Sequence, residues 1–301
     1  MKHDANAAVW VSFAADSLAL AAHWIYDTDM IAARFGRIEA LGSPGSDSYH
    51  AGRQAGMFTH YGDQALWLAE SVAAKNGFDL AHFARTWRKG FAEYDGYYDR
   101  ATKTTLENFA RGLAPEESGS LSTDLAGAAR IAPLVRRYRS EPATLFAAAR
   151  AQTAMTHKNP AVTDAAVFFA DAALSVLAGQ KPAEALADAA QKGSTDPRIK
   201  AWVSAGLESA SRDSIAAIKS FGQTCDISGA FPSVIHLIAR HQDDPAEGLI
   251  QNVLAGGDSA ARGLIAGMIF GAHKGMDAVF PEWIAGLKAQ PWIASLLDRM
   301  G

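Results

Sequence analysis

Four stretches of this 301-residue chain place titratable side chains where an alanine-rich helical protein has no packing need for them. In the first, Ala15-Asp16-Ser17-Leu18-Ala19 runs on to His23-Trp24-Ile25-Tyr26-Asp27. Asp16 and His23 are seven positions apart, about two helical turns, so both fall on the same side of one helix. A buried aspartate is costly unless paired, which weighs a site against a merely solvated position. The second stretch, Thr59-His60-Tyr61-Gly62-Asp63-Gln64, gathers a hydroxyl, an imidazole, a phenol, a carboxylate and an amide just before an amphipathic run. Thr59 or Asp63 as a helix cap explains part of this without any function. Capping and function are compatible, because a helix N-terminus is also where anions bind.

The third stretch is Gly256-Gly257-Asp258-Ser259, which opens a run carrying Gly263, Gly267, Gly271 and Gly275 at four-residue spacing. Those glycines share a helix face and let a second helix or a ligand approach closely; tight helix packing with Asp258 as N-cap is the favoured reading. Asp258, Arg262, His273 and Lys274 argue against a membrane dimer motif here. In the fourth, Thr156-His157-Lys158-Asn159-Pro160, Asn159 reads as an N-cap with proline at the first helical position, and His157 as a structural histidine. Cys225 has no evident sequence partner and reads as a small apolar residue.

The elements that must position these groups are helices. Alanine supplies 62 residues, about a fifth of the chain, against 11 prolines. Apolar residues recur at helical spacing, as in Ala65, Leu68, Ala69 and Val72, or Ala165, Phe168, Phe169, Ala172 and Val176. Stretches such as Ala201 to Ser204 are too short and isolated to build a sheet, so the fold class is all-α. Turn signals fall at Gly42 to Gly45, Glu116 to Ser120, Lys158 to Pro160, Gly193 to Pro197 and Gly256-Gly257. None is long enough for a linker and no repeat stands out, so residues 1–301 are expected to form a single compact multi-helix domain.

With 28 Lys+Arg against 32 Asp+Glu the net charge is −4, and no basic block exists to track a phosphate backbone; nucleic-acid binding is not expected. Asp16 interrupts the first apolar stretch well short of the roughly 18 residues of a membrane span, and no signal peptide is read there. One cysteine permits no intramolecular disulfide, which fits a cytoplasmic setting.

In order and spacing, the chain resembles the ADP-ribosylglycohydrolase family, all-α hydrolases that remove ADP-ribose from modified proteins with two magnesium ions. The family's Gly-Asp-Ala-Leu-Gly stands here as Ala15-Asp16-Ser17-Leu18-Ala19, and its Thr-Asp-Asp-Thr as Thr59-His60-Tyr61-Gly62. Its Arg-Ile-Ala-Pro is intact at Arg130 to Pro133, as is the Thr-His turn at Thr156-His157. Its Gly-Gly-Asp-Thr-Asp-Thr stands as Gly256-Gly257-Asp258-Ser259-Ala260-Ala261. The departures concentrate at the implied metal ligands, of which only Thr59 and Asp258 remain, while His23 replaces a further acidic residue. Two dications ~4 Å apart repel by about 17 kcal/mol at an effective dielectric of about 20, and the carboxylates that would offset this are missing. Histidine for aspartate also moves a site away from magnesium. A two-magnesium site is therefore not expected, although one remaining metal on Asp258, Asp16 and a histidine stays open. The Trp24-Ile25-Tyr26-Asp27 and Thr59 to Gln64 segments are similar to a divergent branch that includes the jellyfish J-type crystallins.

By motif position, His23, His60 and Asp63 are the expected catalytic groups, with Asp63 or Asp258 orienting a histidine that activates water at a glycosidic or related bond. Asp16, Tyr61, Gln64 and Gly257 are the expected contacts to a small-molecule or ADP-ribosyl substrate, and Thr59 and Asp258 the metal-ligand positions. The contrasting expectation is a catalytically inactive ADP-ribose-binding or crystallin-like structural protein.

Overall fold

The computed structural model describes residues 4–192 and 196–301. The turn expected at Gly193 to Pro197 therefore lies largely outside the described residues. The elements of the described residues are helices: α1 (Ala5–Ala19), α2 (Thr28–Phe35), α3 (His60–Lys75), α4 (Leu80–Ala92), α5 (Arg100–Ala110), α6 (Ala126–Ala129), α7 (Ala132–Arg137) and α8 (Pro142–Ala154). Then follow α9 (Pro160–Leu177), α10 (Pro182–Gln191), α11 (Arg198–Glu208), α12 (Ser214–Phe221), α13 (Ile227–His241), α14 (Pro245–Leu254), α15 (Ser259–Lys274), α16 (Pro281–Ala285) and α17 (Gln290–Arg299). Ala201 to Ser204 lie inside α11, as the helical reading requires. Among the described residues the only β-type pairing is two isolated bridges, Ser120 with His157 and Asp124 with Asp226.

Aspartate starts many of these helices. Asp4, Asp27, Asp79, Asp99, Asp213, Asp226, Asp244 and Asp258 are all N-caps whose carboxylates accept a backbone N–H from the first turn. Proline at the first turn plays the complementary part in α8, α9, α10 and α14, where its missing N–H is not needed.

One hydrophobic core runs through the fold from Ala8 to Met300. At its centre α1 packs on α15, both buried over nearly their whole length. The glycine row makes this possible: a Cβ at Gly271 would lie 2.3 Å from the Ala7 carbonyl oxygen, and one at Gly267 2.7 Å from that of Val11. Ser12 Oγ donates to the Leu264 carbonyl oxygen across the pair at 2.8 Å. Gly275 does not extend the row but ends the helix. α9 is long and apolar enough by composition to cross a membrane, yet Val162, Phe169, Ala173 and Val176 are fully buried among its neighbours.

This packing directs one end of the bundle. There α1 finishes, α3, α5 and α15 begin, and the non-helical segments 36–59 and 111–125 close over the junction.

Candidate functional site

The N-terminus of α3 is fixed to the end of α1 by Thr59. Its backbone N–H and its hydroxyl both donate to the Asp16 carboxylate, at 2.8 and 2.7 Å, while Oγ1 accepts the Tyr61 N–H as helix cap at 3.2 Å. Asp16 is fully buried, and burial pushes its carboxyl up to about 8 against the pull of the two Thr59 bonds. Gly62 is needed beside it, because a Cβ there would lie 2.3 Å from Asp16 Oδ2.

His60, the first residue of α3, points into a chain of polar side chains. Its Nε2 lies 3.1 Å from Asp99 Oδ2 and its Nδ1 3.2 Å from His50 Nε2. An ionised carboxylate only accepts, so Nε2 of His60 carries the hydrogen; the network then makes His50 Nε2 the donor to His60 Nδ1. Asp99 caps α5, accepting the Thr102 N–H at 2.6 Å. Burial alone would raise its carboxyl, but the hydrogen bonds it accepts from His60 and the Thr102 N–H hold it below the usual carboxylate range. Burial lowers His50 to about 3.

The carboxylate that faces His60 is thus Asp99, and not Asp63 as the sequence suggested. Asp63 turns to the other flank, where Arg53 pairs with it at 2.8 Å and Tyr94 Oη donates to it at 2.8 Å. Its carboxyl is raised by burial against those two partners. Asp258 fits the expected pairing better: it faces His23, with Oδ1 3.7 Å from His23 Nδ1. Burial raises Asp258 to about 6 and lowers His23. His23 Nε2, His50 Nδ1 and Asp258 Oδ2 are buried with no hydrogen-bond partner among the described residues.

Gln64 is a structural hub rather than a cleft residue. Its Oε1 accepts from Trp87 Nε1 at 2.8 Å and Arg130 at 2.5 Å, and its Nε2 donates to the His60 carbonyl oxygen. Arg130 continues to Thr156 Oγ1 at 2.6 Å, which in turn meets His157 Nδ1 at 2.9 Å. Gly257 interlocks two loops: its N–H donates to the Ile25 carbonyl oxygen and its own carbonyl accepts the Trp24 N–H. It does so at φ +65°, where a Cβ would lie 2.0 Å from the Gln223 carbonyl oxygen. Trp24 itself sits at φ +66°, a conformation costly for a bulky residue, and stacks on His23 at 4.4 Å.

Outside this cluster lies a cleft of about 310 Å³, walled by Trp24, Tyr26, Tyr49 and Tyr97 and lined further by Asp99, Arg100, Ala101, Ser122, Asp124 and Cys225. Asp124 is held by two backbone bonds, from Leu125 N–H to the Cys225 carbonyl and from Ile227 N–H to the Thr123 carbonyl. Tyr61 Oη donates to its Oδ2 at 3.3 Å. Burial and the charges of Asp258 and Asp99 push the Asp124 carboxyl well up. Cys225 is not the plain apolar residue expected: it lines the cleft beside Asp124, which together with burial raises its thiol.

The donor set does not fit a pair of magnesium ions. Both Asp16 oxygens and the Thr59 hydroxyl are spent on each other, and His60 and Tyr61 bind Asp99 and Asp124. Among the described residues no three His, Cys, Asp or Glu side chains converge as a metal site.

His50, Asp99, Asp124, Tyr49 and Tyr97 were not legible as site residues. Comparison with known proteins bears on the whole assembly. Residues 2–301 match the model of a family described as ADP-ribosylglycohydrolase. An uncharacterized protein of Archaeoglobus fulgidus is 26% identical over 82% of this chain and 80% of its own length. Crystallin J1A of Tripedalia cystophora is 23% identical over 94% of this chain and 92% of its own, and crystallin J1B is 23% identical over 95% and 92%. A solved chain titled ADP-ribosylglycohydrolase-related protein complex superposes with a TM-score of 0.76 at 22% identity, over 99% of this chain and 97% of that one.

Proposed function

Because the chain belongs to the ADP-ribosylglycohydrolase family, we propose that its cleft hydrolyses a glycosidic bond with two carboxylates, Asp99 and Asp124, in the part that paired metal ions would otherwise play. The observation that carries this reading is that both side chains line one cleft while their surroundings displace them in opposite directions. Two carboxyl groups pushed apart in this way are an acid and a base at the same pH.

Asp99, kept ionised by His60, takes a proton from water. The hydroxide formed attacks the anomeric carbon, the bond to the leaving atom breaks, and Asp124 gives that atom its proton. Exchange with solvent restores both groups. His60 is then a positioning residue acting through Asp99, and His50 orients His60 in turn. The direct roles expected of His23 and Asp63 pass to the two cleft carboxylates, because neither of those residues lines the cleft. Asp16 and Thr59 keep the start of α3 in place.

The test is release of ADP-ribose from arginine-linked and serine-linked ADP-ribosyl peptides by chelator-treated protein. Asp99→Asn and Asp124→Asn are each expected to lower turnover about 100-fold or more, and His60→Ala at least about tenfold, with the fold intact. Turnover that needs added magnesium, or that survives both carboxylate changes, would overturn the reading.

A second reading is favoured by the crystallin relatives, which align over nearly all of this chain. In it the cleft binds a ligand, or only serves packing, without turnover. ADP-ribose binding with no release from either peptide would support it.

A further inference from the structure

The cleft's walls and floor differ in a way that selects a ligand. Tyr49 and Tyr26 leave 60% and 45% of their surface exposed at its mouth. Both rings are therefore open to contact by a group entering the cleft. Trp24 stands at 87° to both Tyr49 and Tyr97, with centroids 5.2 and 5.1 Å away, and Tyr49 meets Tyr97 at 61° and 5.0 Å. The aromatic wall therefore presents ring faces and edges together. Its floor is acidic: Asp99 and Asp124 line it, and Asp258 lies close enough for its charge to act on Asp124. Arg100, exposed at the mouth, is the one basic residue among those lining the cleft. The buried cations nearby are committed elsewhere, Arg130 to Gln64 and Thr156 and Arg262 to Asn252 and the Gly256 carbonyl oxygen.

An anion placed here would meet the ionised Asp99; a cation would meet that carboxylate, the Asp124 carboxyl oxygens and the rings as well. The protein already uses the same wall in this way, since the Lys103 ammonium sits 5.6 Å from the Tyr97 ring centroid and 5.8 Å from that of Tyr98. We infer that the cleft recognises a small alkylammonium group, seated against Trp24, Tyr49 and Tyr97 with its charge facing the Asp99 carboxylate. This deepens the proposed hydrolysis and rests on it for the substrate: the cationic group is the part to which the sugar is attached, and any phosphates lie outside.

The experiment is a calorimetric titration at fixed ionic strength with choline and with its uncharged isostere 3,3-dimethyl-1-butanol. Choline is expected to saturate one site, and the isostere to bind at least about tenfold more weakly. Tyr49→Leu, at an exposed position, and Asp99→Asn are each expected to weaken choline about threefold or more, with circular dichroism unchanged. Equal binding of the isostere, or no saturation by choline, would overturn the inference. Choline binding without ADP-ribosyl hydrolysis would strike only the proposed reaction. Hydrolysis abolished by Asp99→Asn, in a protein that ignores choline, would strike only the ligand class.

Discussion

Thr59 performs two tasks with one hydroxyl, and Thr59→Val removes both while keeping the side-chain shape. The cap to Tyr61 N–H accounts for about 1 kcal/mol. Depriving the buried Asp16 Oδ1 of its donor adds about 1–3 kcal/mol. No cavity forms, so the expected loss is about 2–4 kcal/mol in all. The loss should also depend on pH, with a definite sign. The hydroxyl stabilises the ionised form of Asp16, so its removal raises the folded-state value further above about 8 and leaves the unfolded chain unchanged. The deficit is therefore smaller at pH 6, where folded Asp16 is protonated, and larger at pH 9. Urea unfolding followed by far-ultraviolet circular dichroism at both values measures this, with Thr59→Ser as the variant that keeps the hydroxyl. A deficit below about 0.5 kcal/mol, or one that does not grow with pH, would refute the argument.

Asp16→Asn should flatten the fall of stability between about pH 4 and pH 8. The folded protein holds the Asp16 proton up to about 8 whereas the unfolded chain releases it near the ordinary 3.8 of an aspartate, so stability falls as pH rises through that window by up to about 1.4 kcal/mol per unit; an unchanged slope between pH 5 and 8 would count against it. The buried histidines act with the opposite sign. His50 is lowered to about 3, and His157 and His236 to about 4, mainly by burial, so their contribution is complete above 6.5 and is lost as pH falls toward 4. His236, remote from the cleft and bonded to Ser209 and Ser214, is the cleanest to replace: His236→Gln should reduce proton uptake on unfolding at pH 5 by about one, read from the pH slope of urea stability. Gly257→Ala should cost more than about 3 kcal/mol, because it combines a left-handed backbone with a clash against Gln223, and a melting temperature equal to the parent's would disprove that account.

The helices were legible because alanine content and 3.6-residue periodicity act locally, and the glycine row of α15 announced a close helix partner without saying which. Thr59 and Asp258 were legible as helix starts, and the motif order was enough to name the family. Asp99 was not, for a physical reason: aspartate caps so many helices here that a cap carries no functional signal, and only three-dimensional packing distinguishes Asp99 from Asp79 or Asp213. His50, Tyr49 and Asp124 belong to non-helical segments, where no periodicity assigns a face. Asp63 illustrates the converse. Three residues beyond His60 on the same helix, it looked like that histidine's partner, but Arg53 and Tyr94 draw it to another flank.

The pairing of α1 with α15 also bears on how the chain is made. Ser12 finds its acceptor 252 residues further along, and each of the two helices packs against the other along nearly its whole buried length. During synthesis at about 5–20 residues per second, α1 emerges many seconds before its partner exists. For that interval a helix destined for burial over most of its length lacks its main partner, and the slow closure of so long a loop follows. Truncation before Ser259 should thus leave the earlier helices without their central support, read as loss of a cooperative unfolding transition.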